Sequence, residues 1–344
     1  MTYYFISDLH LDFYVSPVFR TIDILRMEFE DFFERNFLPA DACCIAGDIA
    51  NDYFNYMEFL KFIAEKYKTV YICLGNHDII TERIGKFGSD RDFLTSESKI
   101  KYFLDETKKI PNLQLLENRI ADDVAGCMGM CDFKFKHTPS ASEMVNKILW
   151  ATRWFDSRHW NYKLNNADKL WRHYDRVFRK LTTQRPKIMM SHFLPLEFEM
   201  PERYKQDPCS NFFYFHGAKY LEKMDDGSIW QAGHTHTAIK HEYTDKLGKK
   251  HLLLCNPVGY PEENPYAEYG LKREDFLITL DTPNDETIAA MSEANEIASG
   301  KRKTKSHKNA NTMIKDILST LWIPPKLATA LMQKTFANCA NTIP

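Results

Sequence analysis

The stretch Thr69-Val70-Tyr71-Ile72-Cys73-Leu74-Gly75-Asn76-His77-Asp78 sets an apolar, partly β-branched run directly against turn-forming and polar residues. Such a run reads as a buried strand, and the glycine that ends it permits a tight turn into side chains able to hold a cation. The arrangement recurs elsewhere. Tyr3 to Ser7 leads into Asp8-Leu9-His10, Ala42 to Ala46 into Gly47-Asp48, Lys187 to Met190 into Ser191-His192, and Ser228 to Ala232 into Gly233-His234-Thr235-His236. Carboxylate, imidazole and amide groups from distant parts of the chain thus collect at one edge of a sheet. That donor set suits borderline divalent metals, and two ions about 3.5–4 Å apart supply a nucleophile at neutral pH and positive charge against a phosphoryl group.

Helical patterns alternate with the early strands. Pro17 to Asn36 carries Phe19, Ile22, Leu25 and Phe29, and Asn55 to Tyr67 carries Tyr56, Phe59, Leu60 and Ile63. Short strands are expected at Leu113 to Leu116, Val124 to Met128, Leu252 to Cys255 and Phe276 to Leu280, so the class is α/β. At 344 residues, 44% hydrophobic and 27% charged, the chain has the composition of an ordinary globular protein. The first strand begins within three residues of Met1, leaving no room for a leader, so a cytoplasmic protein with no membrane partner is expected. Of eight cysteines, Cys43, Cys44, Cys73 and Cys255 lie inside strand-like runs and read as buried free thiols; Cys127 and Cys131 lack further cysteine partners for a metal.

The five clusters, in order and spelling, resemble the calcineurin-like metallophosphoesterase family: Asp-x-His, Gly-Asp, Gly-Asn-His-Asp, a lone His, then Gly-His-x-His. Asn256-Pro257-Val258-Gly259-Tyr260 resembles the family's closing turn, and the likeness covers roughly residues 1–280. It implies two facing mixed β-sheets flanked by helices, with two divalent ions (manganese, iron, zinc or nickel) at the strand ends. By motif correspondence, Asp8, His10 and His236 hold one ion, Asn76, His192 and His234 the other, and Asp48 bridges them. A hydroxide between the ions attacks phosphorus, and His77 stabilises or protonates the leaving oxygen. The protein Ser/Thr phosphatases of the superfamily carry Asp where Asn51 stands and spell the third motif with Glu rather than Asp78, so a dedicated phosphoprotein phosphatase is disfavoured. Asn51, Asp52 and Asp78 are the candidates to orient His77. His137, His159, His173, His216, His241, His251 and His307 lack such a setting and read as ordinary surface or core histidines.

Substrate choice has to come from outside the motifs. Between about 137 and 185 the strand signals stop and an aromatic, helical segment follows, read as a cap insertion within a domain spanning 1–280. Lys147 to Lys187 holds eleven Lys and Arg against three Asp, which either draws an anion towards the strand ends or forms a solvated face over buried Trp residues. In the irregular stretch Glu197 to Phe215 and just beyond, Tyr204, Asn211 and His216 are substrate-contact candidates, with turn and packing roles the stronger reading. Residues 281–310 read as a polar, basic linker containing Lys301-Arg302-Lys303, and 311–344 as a helical C-terminal appendage that folds back or docks a protein partner.

The expected function is metal-dependent hydrolysis of a phosphomonoester or phosphodiester in a small or nucleotide-like molecule. A nuclease of the same superfamily, with nucleic acid as partner, is the second reading, and a non-catalytic scaffold the third.

Overall fold

In the computed structural model, β1 (Thr2–Ile6), β2 (Ala42–Ala46), β3 (Thr69–Cys73) and β4 (Leu113–Leu115) lie parallel in that order, with β11 (Leu277–Thr279) antiparallel on the outer edge of β1. A second sheet has the order β5 (Arg119–Ala121), β6 (Val124–Gly126), β7 (Ile188–Met190), β8 (Ile229–Ala232), β10 (Lys250–Cys255), β9 (Ile239–Thr244). Its β6, β7, β8 and β10 are parallel, and β5 and β9 are antiparallel edges. The expected α/β fold with two mixed sheets is therefore what the chain adopts. The structure describes residues 1–15, 21–81, 93–135, 142–163, 166–197, 204 and 207–280. His137, His307, the expected linker 281–310 and the expected appendage 311–344 lie outside the described residues.

The continuous apolar runs follow from burial on both faces: every residue of β2 is buried, as parallel strands between layers require. Gln231 on β8 donates through Nε2 to Ile6 O at 2.8 Å and Cys44 O at 2.9 Å, tying the second sheet to β1 and β2 of the first. Asn256, just past β10, donates to Phe5 O at 2.7 Å. These amides satisfy carbonyls that would otherwise be buried unpaired where the sheets meet.

Helices α1 (Ile22–Asn36), α2 (Tyr53–Ala64) and α3 (Ser96–Thr107) flank the first sheet, capped by Thr21, Asp52 and Thr95. Between β6 and β7 come α4 (Glu143–Arg153), α5 (Phe155–His159) and α6 (Ala167–Thr182); α7 (Ala218–Leu221) precedes β8. On α6, Leu170, Tyr174, Phe178 and Leu181 recur at helical spacing and are buried, with Phe178 stacked 4.6 Å from Phe215. Arg172, Arg176, Arg179 and Lys180 occupy the opposite, exposed face, and Arg179 is held by Asp175 at 2.8 Å. The positive charge of this segment is thus a solvated face over buried aromatics, the second of the two readings its composition allowed.

Four elements escaped the apolar pattern, among them α7, a four-residue turn. β5 is a three-residue edge strand, β9 (Ile-Lys-His-Glu-Tyr-Thr) is largely exposed, and α3 turns Ser96, Lys99 and Thr107 inward beside Phe103. The seven described cysteines are free, and Cys127 and Cys131 belong to no metal-ligating group among the described residues. No described helix is long and apolar enough to cross a membrane.

Candidate metal centre

Each motif lies immediately beyond a parallel strand, where the chain must turn sharply. Asp8, His10, Asp48, His234 and His236 all have positive φ, between 44° and 73°, a left-handed conformation that costs side-chain-bearing residues of order 1 kcal/mol or more. Hydrogen bonds hold these loops in place. The Asp78 carboxylate accepts the backbone N–H groups of Asp48 (3.0 Å), Ile49 (2.8 Å), Ala50 (3.2 Å) and Gly75 (2.7 Å), fastening the loops after β2 and β3 together. Gly75 is required by proximity, since a Cβ there would sit 2.1 Å from Asp48 Oδ1.

The result brings all seven residues expected as ligands to one place, in two groups. One consists of Asp8, His10 and His236, the other of Asp48, His192 and His234; within each, the ligating atoms lie within 4.8 Å of one another. Each group draws on both sheets. Asn76 joins the second, its Oδ1 2.8 Å from His192 Nε2. Asp48 lies between the groups, with Oδ2 3.2 Å from His192 Nε2 and 3.8 Å from His10 Nε2.

The donor set fits divalent cations on the structure's own terms. His192 Nδ1 is 2.8 Å from the Ala46 carbonyl, which can only accept, so Nδ1 carries a proton, and Nε2 faces Asn76 Oδ1 and Asp48 Oδ2, where it offers its lone pair to a cation or, with none bound, holds a second proton. Three acceptors aimed at one point require a cation or a proton between them. Burial opposes charge on His192, yet the Asp48 and Asp8 carboxylates push it up to about 10, a sign of how strongly the spot favours positive charge. His10 Nε2 and His236 Nε2 also face each other at 2.9 Å, while Glu263 Oε2 is 2.6 Å from His236 Nδ1. His234 Nε2 is buried with no hydrogen-bond partner among the described residues, and burial holds that imidazole well below its ordinary pKa, leaving a neutral nitrogen lone pair in the site.

His77 lies beside these groups, its ring 5.0 Å from that of His10 and stacked on Phe155 at 5.2 Å. Its Nδ1 is 3.0 Å from Asn51 Oδ1, whereas Asp52 caps α2 and Asp78 is occupied by backbone amides. Of the three candidates to orient His77, Asn51 is the one that touches it. Asn51 is fixed in turn from two sides: Asp12 accepts its N–H, and the buried Lys99 ammonium donates to its carbonyl at 2.6 Å. Burial drives His77 below its ordinary pKa, although the Asp48 charge acts the other way.

Above the centre is a cavity of about 410 Å³ lined by Asp48, Asn76, His77, His234, His236 and Glu263, with Phe13, Trp154, Phe155, Tyr204, Phe213 and Tyr260 as aromatic walls. No lysine or arginine lines it among the described residues. Tyr204 therefore borders the cavity. Asn211 is buried and donates to Asn146 Oδ1 at 3.2 Å, and His216 pairs with Asp132 at 2.8 Å beside a different cavity. Sequence reading missed Asp12, Lys99, Asp156 and Glu263, which support the site without belonging to a motif. The one available signal was for Asp156, a carboxylate set between aromatic and basic residues.

Two mixed sheets, parallel at their centres, thus meet at a cluster of carboxylates and imidazoles suited to divalent metal ions. Over residues 1–238 the sequence matches the model of the calcineurin-like phosphoesterases, and the chain belongs to that family, whose members use divalent metal ions. Comparison with curated proteins gives no match. Among solved structures, the phosphopantetheinyl hydrolase PptH from Mycobacterium tuberculosis is similar in fold, with a TM-score of 0.56 over 82% of this chain and 96% of that one, at 14% identity.

Proposed function

We propose that this protein hydrolyses the phosphate ester of a small molecule carrying an apolar or aromatic group, with Asp8, His10 and His236 holding one divalent ion, Asn76, His192 and His234 a second, and Asp48 bridging the two. The observation that carries this reading is the pair of ligand groups drawn together at the floor of an aromatic cavity. Bound there, two ions supply positive charge against the phosphoryl oxygens and a hydroxide nucleophile at neutral pH.

The remaining work falls to the chain itself. Asn51 Oδ1 accepts from His77 Nδ1–H, which fixes the ring and leaves Nε2 to hold or deliver a proton at the leaving oxygen. Asn51 orients without adding a negative charge, so the imidazolium form of His77 gains no ion pair from it and gives up its proton readily. Trp154, Phe155, Phe213 and Tyr260 exclude water and pack against the ester's organic part. The segment from about 137 to 185 acts as the cap that supplies Trp154 and Phe155.

An aromatic cavity without lysine or arginine among its described lining suits a small ester better than a polynucleotide, which needs a basic track. A scaffold has no use for seven converging donors and an oriented imidazole. The test is metal-free protein reloaded separately with manganese, iron, zinc or nickel and offered an aryl phosphomonoester, an aryl phosphodiester, cyclic nucleotides, a phosphopantetheinyl ester and single-stranded DNA. The phosphopantetheinyl ester is included because the structural neighbour's name specifies it. Turnover of one or more small esters is expected. Turnover of DNA alone points to the nuclease, and none with any metal leaves the scaffold.

A further inference from the structure

We infer that Asp156, on the short helix α5, is a positioning residue that fixes which end of the Asn76 amide faces the metal centre. The inference rests on the metal reading given above and concerns a residue outside all five motifs.

Asp156 is fully buried at the lining of the cavity, and both of its carboxylate oxygens take side-chain donors. Asn76 Nδ2 donates to Oδ1 at 2.8 Å, and the Trp154 indole N–H donates to Oδ2 at 2.8 Å. Indole is a donor only, so the carboxylate is itself held in one orientation. Beyond the same turn, Trp160 Nε1 donates to the backbone carbonyl of Asn76 at 2.9 Å. Two consecutive turns of the inserted segment therefore grip Asn76 at its main chain and its side chain, while Phe155, the neighbour of Asp156, stacks on His77.

The chemical consequence lies in the symmetry of a primary amide. Rotating Asn76 by half a turn about its last bond exchanges oxygen for NH2 with almost no change in shape, and NH2 has no lone pair to offer a cation. A fixed acceptor behind the amide removes that ambiguity. With Nδ2 committed to Asp156, Oδ1 faces His192 Nε2 at 2.8 Å, where the second ligand group converges. An outer partner of this kind is worth about 10–100-fold in metal affinity.

The experiment is calorimetric titration of metal-free, full-length protein with Mn2+, comparing wild type with D156N, N76D and N76D/D156N, with near-UV circular dichroism to confirm that the Trp environment persists. Wild type is expected to take up two ions. In D156N one site should weaken about 10–100-fold while the other keeps its affinity, with kcat for an aryl phosphate falling and KM little changed. N76D alone sets two carboxylates against each other and should lose that site. The double variant restores a donor–acceptor pair and should recover it, which a merely structural role for Asp156 would not produce. Wild-type affinity at both sites in D156N, or a double variant no better than N76D, overturns the inference. Uptake of fewer than two ions by wild type overturns the metal reading, and this inference with it.

Discussion

The floor of the cavity and its wall are built by different means. The floor consists of short loops after five parallel strands, with strained left-handed residues pinned by buried hydrogen bonds such as the four that Asp78 accepts. The wall comes largely from the segment between β6 and β7 and the stretch after β7, where Trp154, Phe155 and Phe213 are placed by packing against other rings. Backbone anchoring fixes atoms to the accuracy that metal chemistry demands, whereas packed side chains tolerate exchange of one ring for another. On the proposed function, reaction and substrate preference are separable, one assigned to the floor and the other to the wall.

Substitutions can break or sharpen that contrast. The largest effect is expected from D48N in the floor, which removes the carboxylate between the two groups: activity should fall to background, and Mn2+ content measured by elemental analysis should drop. Full metal content in D48N would detach Asp48 from the centre. H77A should keep both ions yet lose about 10²–10⁴-fold in kcat, the range for losing a general acid; an emptied site would instead make His77 a ligand.

Smaller, but specific in sign, is the effect of N51D. A carboxylate beside His77 Nδ1 favours the imidazolium, so the folded pKa of His77 rises. With His77 as the proposed acid, the protonated ring is the active form, and the alkaline limb of the kcat profile should move up by about one pH unit. An unmoved or lowered limb would deny His77 the acid role. In the wall, F213A should raise KM for an aryl phosphate about tenfold, equivalent to about 1.4 kcal/mol, with metal content unchanged. The smallest change belongs to the exposed face of α6: replacing Arg172, Arg176 and Arg179 by Gln should alter kcat/KM by less than about twofold, as expected for solvated charges that do not line the cavity. A larger loss, growing at low salt, would restore the electrostatic role their number once suggested.

The sequence exposed the floor far more fully than the wall. Each ligand motif combines an apolar strand with a polar turn, a contrast in neighbouring residues that survives without any knowledge of the fold. Ala42–Ala46 is the observed β2 to the residue, and the ends of β1, β3, β7 and β8 differ from expectation by single residues. By contrast, Asp156 meets Asn76 across 80 positions and Glu263 meets His236 across 27, so neither partnership leaves a local trace. Lys99 shows a further limit: a lysine on a helix reads as solvent-facing, but here its ammonium is buried and donates to the Asn51 and Ile80 carbonyls. The eleven basic residues from Lys147 to Lys187 are plain in the sequence. Which face they occupy depended on where Leu170, Tyr174 and Phe178 point, and packing decides that.

That each ligand group straddles both sheets has a thermodynamic consequence. Asp8 and His10 follow β1 while His236 follows β8; Asp48 follows β2 while His192 and His234 follow β7 and β8. No single sheet or loop retains a complete group once the sheets separate, so an ion held here belongs to the folded chain alone. Linkage then makes occupancy a term in global stability, about 2.7 kcal/mol for an ion present at a hundred times its Kd. The melting temperature of this protein is accordingly expected to rise with the free metal concentration around it.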